Sequence, residues 1–165
     1  FGHIGESVAK RAMAFDMQVV AFDPVRPEGE IRAAGAEPVS YEDLLEQSDI
    51  ITMHIPHITG THHLLDEKAF SLMKDQVVII CAARGGVIDE SALLAALESG
   101  KVAGAALDVY ENEPPGMHPL PMHPNVIATP HIGAQTKEAQ LRAGYDILSE
   151  VVAALEEEPL RWKIV

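Results

Sequence analysis

The sequence predicts an α/β fold built on a doubly wound parallel sheet. Short apolar runs alternate with helical patterns along the chain, the rhythm of parallel strands joined by helical crossovers. Several of those runs are apolar throughout, as strands covered on both faces are. A glycine turn, FGHIG, leads straight into the first helical stretch. The strand candidates are 18–23 (QVVAFD), 49–54 (DIITMH), 76–82 (QVVIICA), 102–108 (VAGAALD) and 126–129 (VIAT).

The helical stretches follow from their end signals. The first runs from Ile4 to Phe15. The second, Tyr41–Gln47, has Ser40 as N-cap and Asp43 three residues on, close to a capping box. Glu90–Ser99 is capped by Asp89 and stopped by Gly100. The last, from Lys137 to Glu157, ends before Pro159. Residues 111–125 hold five prolines and read as a loop, because a strand resumes at once. No internal repeat or linker is visible, so residues 1–165 read as one domain. Doubly wound domains open on a strand, so the first strand is expected to lie outside this chain, within a longer protein.

Composition excludes several classes of function. With 165 residues and 47% hydrophobic content the chain can bury a core. The formal charge of −13 argues against nucleic acid and anionic membrane as partners, since both reward a basic face. It leaves room for a phosphate-bearing small ligand bound by helix N–H groups. One cysteine, Cys81, permits neither an internal disulfide nor a cysteine zinc cage. No apolar run reaches the ~18 residues of a membrane span, and no secretory leader is visible. A cytoplasmic setting is expected.

FGHIG is the back of G-x-G-x-x-G. Gly2 would let backbone approach a pyrophosphate, Gly5 would let the helix pack tightly on the sheet, and the N–H groups of His3 and Ile4 would face phosphate oxygens. Asp23 ends the next strand ~20 residues on, where an acid accepts ribose hydroxyls. A bland alternative is that Asp23 and Pro24 only open a turn.

Three further polar groups fall at strand ends, on the side where doubly wound sheets place ligands. Arg84 in CAARGG suits a carboxylate through two parallel hydrogen bonds, with Gly85 and Gly86 leaving room for a ligand. Glu113 lies in DVYENEPP and His131 in TPHIGAQT. A histidine paired with a carboxylate passes protons near neutral pH. Singly, each has an ordinary reading: a surface ion pair, a solvated acid, a cap for the last helix. Together with a nucleotide turn they match what hydride transfer to a 2-keto acid requires.

These residues carry a resemblance. FGHIG, VVAFDP, HIP, ARGGVIDE, GAALDVYENEPP and TPHIGAQTKEAQ resemble the NAD-binding domain of the D-isomer-specific 2-hydroxyacid dehydrogenases, over essentially the whole chain. TPHIGAQTKEAQ is most similar to the branch acting on 3-phospho-D-glycerate in serine synthesis. The resemblance implies a Rossmann-type domain, NAD as cofactor and a small 2-hydroxy or 2-keto acid as substrate. It implies Arg84 as carboxylate and carbonyl binder, His131 as general acid/base and Glu113 as its partner. Asp108 would hold the nicotinamide carboxamide, His3 and Ile4 the pyrophosphate, and Asp23 the adenine ribose. Ile55, Pro56, Ala82 and Ala83 would line the cofactor cleft, with Arg84, His131, Gly133 and Ala134 completing it. Pairing of two such domains in a homodimer is also implied.

Departures matter too. His3 stands where the family usually has arginine, which implies weaker or pH-dependent phosphate binding. Cys81 stands where asparagine is common, and reads as a small core residue. The family's substrate domain is absent from these residues, so the chain is expected to bind cofactor without turning over. Glyoxylate or hydroxypyruvate reduction is an alternative activity. A non-catalytic NAD-sensing module, like the corepressors that resemble these enzymes, is another. A methyltransferase would share the glycine turn and the acid but have no use for the Arg–Glu–His set.

His57, His62 and His63 make a poor zinc pattern without a further ligand, and no metal is expected. Leu141, Leu148, Val151, Val152 and Leu155 form a helical stripe that predicts a core face, or a partner. The acidic run Glu156–Glu158 is expected to be a solvated helix end, at the unfavourable end of the helix dipole.

Overall fold

The computed structural model describes residues 1–162. Its elements are helix α1 (His3–Met13), strand β1 (Val20–Ala21), α2 (Glu28–Ala33), β2 (Glu37–Pro38), α3 (Tyr41–Gln47) and β3 (Ile50–Met53). Then come α4 (Glu67–Leu72), β4 (Val77–Cys81), α5 (Glu90–Glu98), β5 (Val102–Leu107), β6 (Val126–Ala128) and α6 (Lys137–Leu155). All strand pairs are parallel. β3, β4, β5 and β6 lie side by side in chain order, and β1 pairs with β2. The predicted parallel α/β sheet is therefore present, with strands one to four residues shorter than their apolar runs.

Two compact units divide at Pro130/His131. In the first, Ile79, Val77, Val102 and Leu107 of β4 and β5 pack with Leu45, Phe70, Leu93 and Leu97 of α3, α4 and α5 into one core. Leu120, fully buried, anchors the proline-rich loop to it. Caps set the helix ends. Ser40 accepts the Asp43 N–H, Asp66 accepts that of Ala69, and Asp89 accepts those of Ser91 and Ala92. Gly100 takes the left-handed conformation that ends α5, at φ +78°.

The second unit runs from His131. No residue of α6 is buried, and Leu141, Leu148, Val151, Val152 and Leu155 are all exposed. Within this unit the stripe is an apolar face that a single helix has no second layer of its own to cover. Glu156, Glu157 and Glu158 are exposed, as a solvated helix end is. Glu157 adopts φ +57° and the Glu158 N–H bonds the Ala153 carbonyl at 2.8 Å, a Schellman closure with glutamate in the usual glycine position.

Candidate active site

In a parallel sheet all carboxyl ends share one edge, and ligands collect there. Most of the predicted site residues follow those ends. His54, Ile55 and Pro56 follow β3, Ala82 to Arg84 follow β4, and Asp108 follows β5. The start of α1 joins them, since Gly5 faces the ring of His54.

Gly2 is the extended N-cap of α1, and no side chain caps this helix. A Cβ on Gly2 would meet nothing within 4 Å. His3 and Ile4 are exposed and Gly5 is buried. A Cβ on Gly5 would lie 3.7 Å from its nearest neighbours, an ordinary contact. The tight packing expected there is not required of a glycine, since alanine would fit.

Asp23 sits two residues past β1. Its Oδ1 accepts the N–H groups of Val25 (2.8 Å) and Arg26 (3.0 Å), and its Oδ2 meets the amino group of Phe1. Burial raises the carboxyl, while the Val25 and Arg26 N–H groups favour its charged form. Asp23 therefore both opens the turn and keeps its charge. Arg26 bonds the Phe1 carbonyl at 2.7 Å, both its terminal nitrogens reach Glu6 at 3.2 Å, and Nε reaches Glu30 at 3.3 Å.

Arg84 is exposed, with Nη1 on the Ala83 carbonyl. The two glycines after it do not leave room for a ligand, as the sequence suggested. A Cβ on Gly85 would sit 1.8 Å from the Tyr110 carbonyl oxygen. One on Gly86, at φ +78°, would sit 2.8 Å from the His57 ring. The space belongs to protein: the loop after β4 lies backbone-to-backbone against the loop after β5. That second loop carries Glu113, which accepts the Tyr110 N–H at 3.1 Å. Asp108, 8% exposed, accepts the Thr129 hydroxyl at 2.6 Å and bonds the Cys81 carbonyl through its own N–H. Cys81 is buried, and burial pushes its thiol up, away from nucleophilic use.

His131, Gly133 and Ala134 belong to the second unit, where all three are exposed. His131 takes φ +54°, a strained conformation for a non-glycine residue. It does not cap the last helix: Thr136 does, accepting the Ala139 N–H at 3.1 Å. Among the residues described, no group of three His, Cys, Asp or Glu is arranged to hold a metal. His57, His62 and His63 instead form a row, with His57 Nε2 3.0 Å from His62 Nδ1 and the His62 and His63 rings stacked at 3.9 Å. Sequence reasoning missed this row's contacts, those of His63 with Glu111, and the Thr129–Asp108 bond. The adjacent glycines at 85 and 86 were the one available signal of a close backbone approach.

Comparison with known proteins agrees with this layout. Residues 1–133 match the family described as D-isomer specific 2-hydroxyacid dehydrogenase, NAD binding domain. D-3-phosphoglycerate dehydrogenase of Bacillus subtilis is 50% identical over 151 residues, covering 92% of this chain and 29% of that protein. Hydroxypyruvate reductase of Thermotoga maritima is 45% identical over 161 residues, covering 94% and 51%. The crystal structure of a glyoxylate reductase from Paecilomyes thermophila superposes with a TM-score of 0.92 at 41% identity, over 99% of this chain and 49% of that one. The chain thus spans from under a third to about half of the proteins it matches. With its parallel sheet and a match over residues 1–133, the chain belongs to the NAD-binding domain family of the D-isomer specific 2-hydroxyacid dehydrogenases.

Proposed function

We propose that this chain is the cofactor-binding part of a dehydrogenase that interconverts a D-2-hydroxy acid and its 2-oxo acid, with 3-phospho-D-glycerate as substrate. One observation carries the reading. Gly85 packs against Tyr110 so closely that the Arg84 loop and the Glu113 loop form one backbone layer at the carboxyl edge of the sheet. A carboxylate binder and an acid partner on one edge, beside an uncapped helix N-terminus, suit a 2-hydroxy acid held next to a dinucleotide.

The residues present fit NAD. The uncapped first turn of α1, with Gly2, His3, Ile4 and Gly5, would take the pyrophosphate. Asp23 would take the adenine ribose, Asp108 the carboxamide, and Ile55, Pro56, Ala82, Ala83, Gly133 and Ala134 the cleft walls. When bound, NAD supplies the hydride acceptor or donor. The chain's own part is acid–base and electrostatic. Arg84 orients the substrate carboxylate and carbonyl, His131 takes the hydroxyl proton in oxidation and returns it in reduction, and Glu113 is assigned as its acid partner.

The relatives support the substrate class, and the phosphoglycerate dehydrogenase likeness favours the phosphorylated acid. The glyoxylate reductase superposition favours a second reading, reduction of a small 2-oxo acid. We also place the protein in the cytoplasm as a homodimer, without nucleic-acid or membrane partners, in keeping with its charge of −13. A substrate domain outside these 165 residues completes the cleft.

NADH-dependent reduction of phosphohydroxypyruvate tests the reading. The chain alone should bind NADH and show no turnover. In protein that includes the substrate domain, His131→Ala should lose about 10²–10⁴-fold in turnover with NADH affinity kept. Turnover by the chain alone would overturn the two-domain account. Near-normal turnover in His131→Ala would remove His131 from the proton transfer.

A further inference from the structure

We infer that His63 is a positioning residue that laces the Arg84 loop to the Glu113 loop. This rests on the dehydrogenase reading for the roles of Arg84 and Glu113, though its geometry is independent of cofactor and substrate. His63 adopts φ +49°, a left-handed conformation that a histidine adopts only against resistance. Strain of this kind persists where surrounding contacts fix it, and often where position matters.

The contacts that fix it reach three segments. The His63 N–H bonds the Gly86 carbonyl at 2.8 Å, two residues beyond Arg84. The chain then runs beside that loop: Leu65 N–H bonds the Val87 carbonyl and Asp89 N–H bonds the Leu65 carbonyl. The His63 ring points the other way. Its Nε2 lies 3.0 Å from Glu111 Oε1, two residues before Glu113, and its Nδ1 lies 3.7 Å from Asp89 Oδ2.

Glu111 is held twice over. Its Oε1 also accepts the Glu90 N–H at 3.2 Å, while its own N–H bonds Glu90 Oε1 at 2.7 Å. The charged and titratable groups around the ring are thus Asp89, Glu90 and Glu111, with His118 3.8 Å from Glu90 and His62 stacked on the His63 ring. Among the described residues the ion-pair contacts of these three acids are with histidines, and the His63 ring adds a side-chain contact to Glu111 beside the Glu90 N–H. His57, at the head of the row, fills the space beside Gly86. One residue therefore grips the loop after β4 by its main chain and the loop after β5 by its side chain.

The test uses the purified chain with no NAD and no 2-oxo acid, so its outcome stands apart from that of the dehydrogenase reading. His63→Asn keeps a residue that tolerates the left-handed backbone but cannot reach Glu111. His63→Gln keeps the reach and a donor. Amide exchange at Glu111 and the NMR signals of the Arg84 Nε–H and the Glu113 carboxyl are followed in both, with thermal melting as the check on folding. In His63→Asn, Glu111 exchange should quicken about tenfold and both distant signals should move. In His63→Gln all three should return most of the way. Unchanged exchange and unchanged signals in folded His63→Asn would overturn the inference. So would a change at Glu111 that leaves Arg84 and Glu113 untouched, or a glutamine variant no better than asparagine.

Discussion

Replacing Gly85 with alanine is the sharpest perturbation of the proposed site. The added Cβ would lie 1.8 Å from the Tyr110 carbonyl oxygen and 2.4 Å from its carbon, and ordinary contact begins near 3.4 Å. The two loops must therefore part by about 1.6 Å, the difference between 3.4 and 1.8 Å. Both partners are backbone, so no rotamer change relieves the clash. Overpacking a core costs about 1–3 kcal/mol, occasionally more, and an unyielding neighbour places this variant at about 3 kcal/mol. For a chain of this size that lowers the melting temperature by about 6–12 °C. Gly5→Ala is the control, because its Cβ would find its nearest atoms at 3.7 Å. Its cost should stay under about 1 kcal/mol. Thermal unfolding followed by circular dichroism compares the two. If Gly85→Ala melted with the wild type, or no lower than Gly5→Ala, the loops would not be packed as described. Arg84 and Glu113 would then not be held by one backbone layer.

Two further predictions concern cofactor choice and alkaline stability. NAD should bind more tightly than NADP, because Asp23 keeps its charge and Arg26, engaged with Glu6, Glu30 and the Phe1 carbonyl, is not placed to offset a 2′-phosphate. Calorimetric titration of both cofactors should show the gap, and Asp23→Ala should narrow it; equal affinities in the wild type would remove Asp23 from the ribose site. Burial, with Asp66 and Glu42 adding, pushes the Tyr41 phenol up to about 12 from 10, and its hydroxyl donates to the Leu64 carbonyl. The folded state thus prefers the protonated phenol, so this contribution is complete below about pH 10 and is lost as pH rises toward 12. Melting temperature should fall over that window, and Tyr41→Phe should flatten the fall; an identical slope in the variant would refute the assignment.

Much of this was legible in the sequence, and the reasons differ by element. β4 and β5 were plain because buried strands must be apolar on both faces. Helices α3 and α5 were plain because Ser40, Asp89 and Gly100 mark their ends by local chemistry. Helix α2 and strand β2 were not, since only Ile31 of α2 is buried and β2 is two residues that include a proline. Their pairing with β1 is a long-range contact with no local period. Helix α4 carried a usable signal in Asp66, three residues before the Ala69 N–H it caps. At the site, the strand ends gave Arg84 and Glu113, but the sequence misjudged why glycines follow Arg84. A glycine signals that something comes close, and cannot say whether it is ligand or backbone.

The central claim is that the uncapped first turn of α1 and the carboxyl edge of the sheet bind NAD. Adding NAD to the isotope-labelled chain and following its backbone amide signals tests this directly. The account predicts saturable shifts at Gly2, His3, Ile4 and Gly5, with further shifts at Ala82, Ala83 and Asp108. Absence of saturable binding, or shifts confined to residues away from these strand ends, would contradict it.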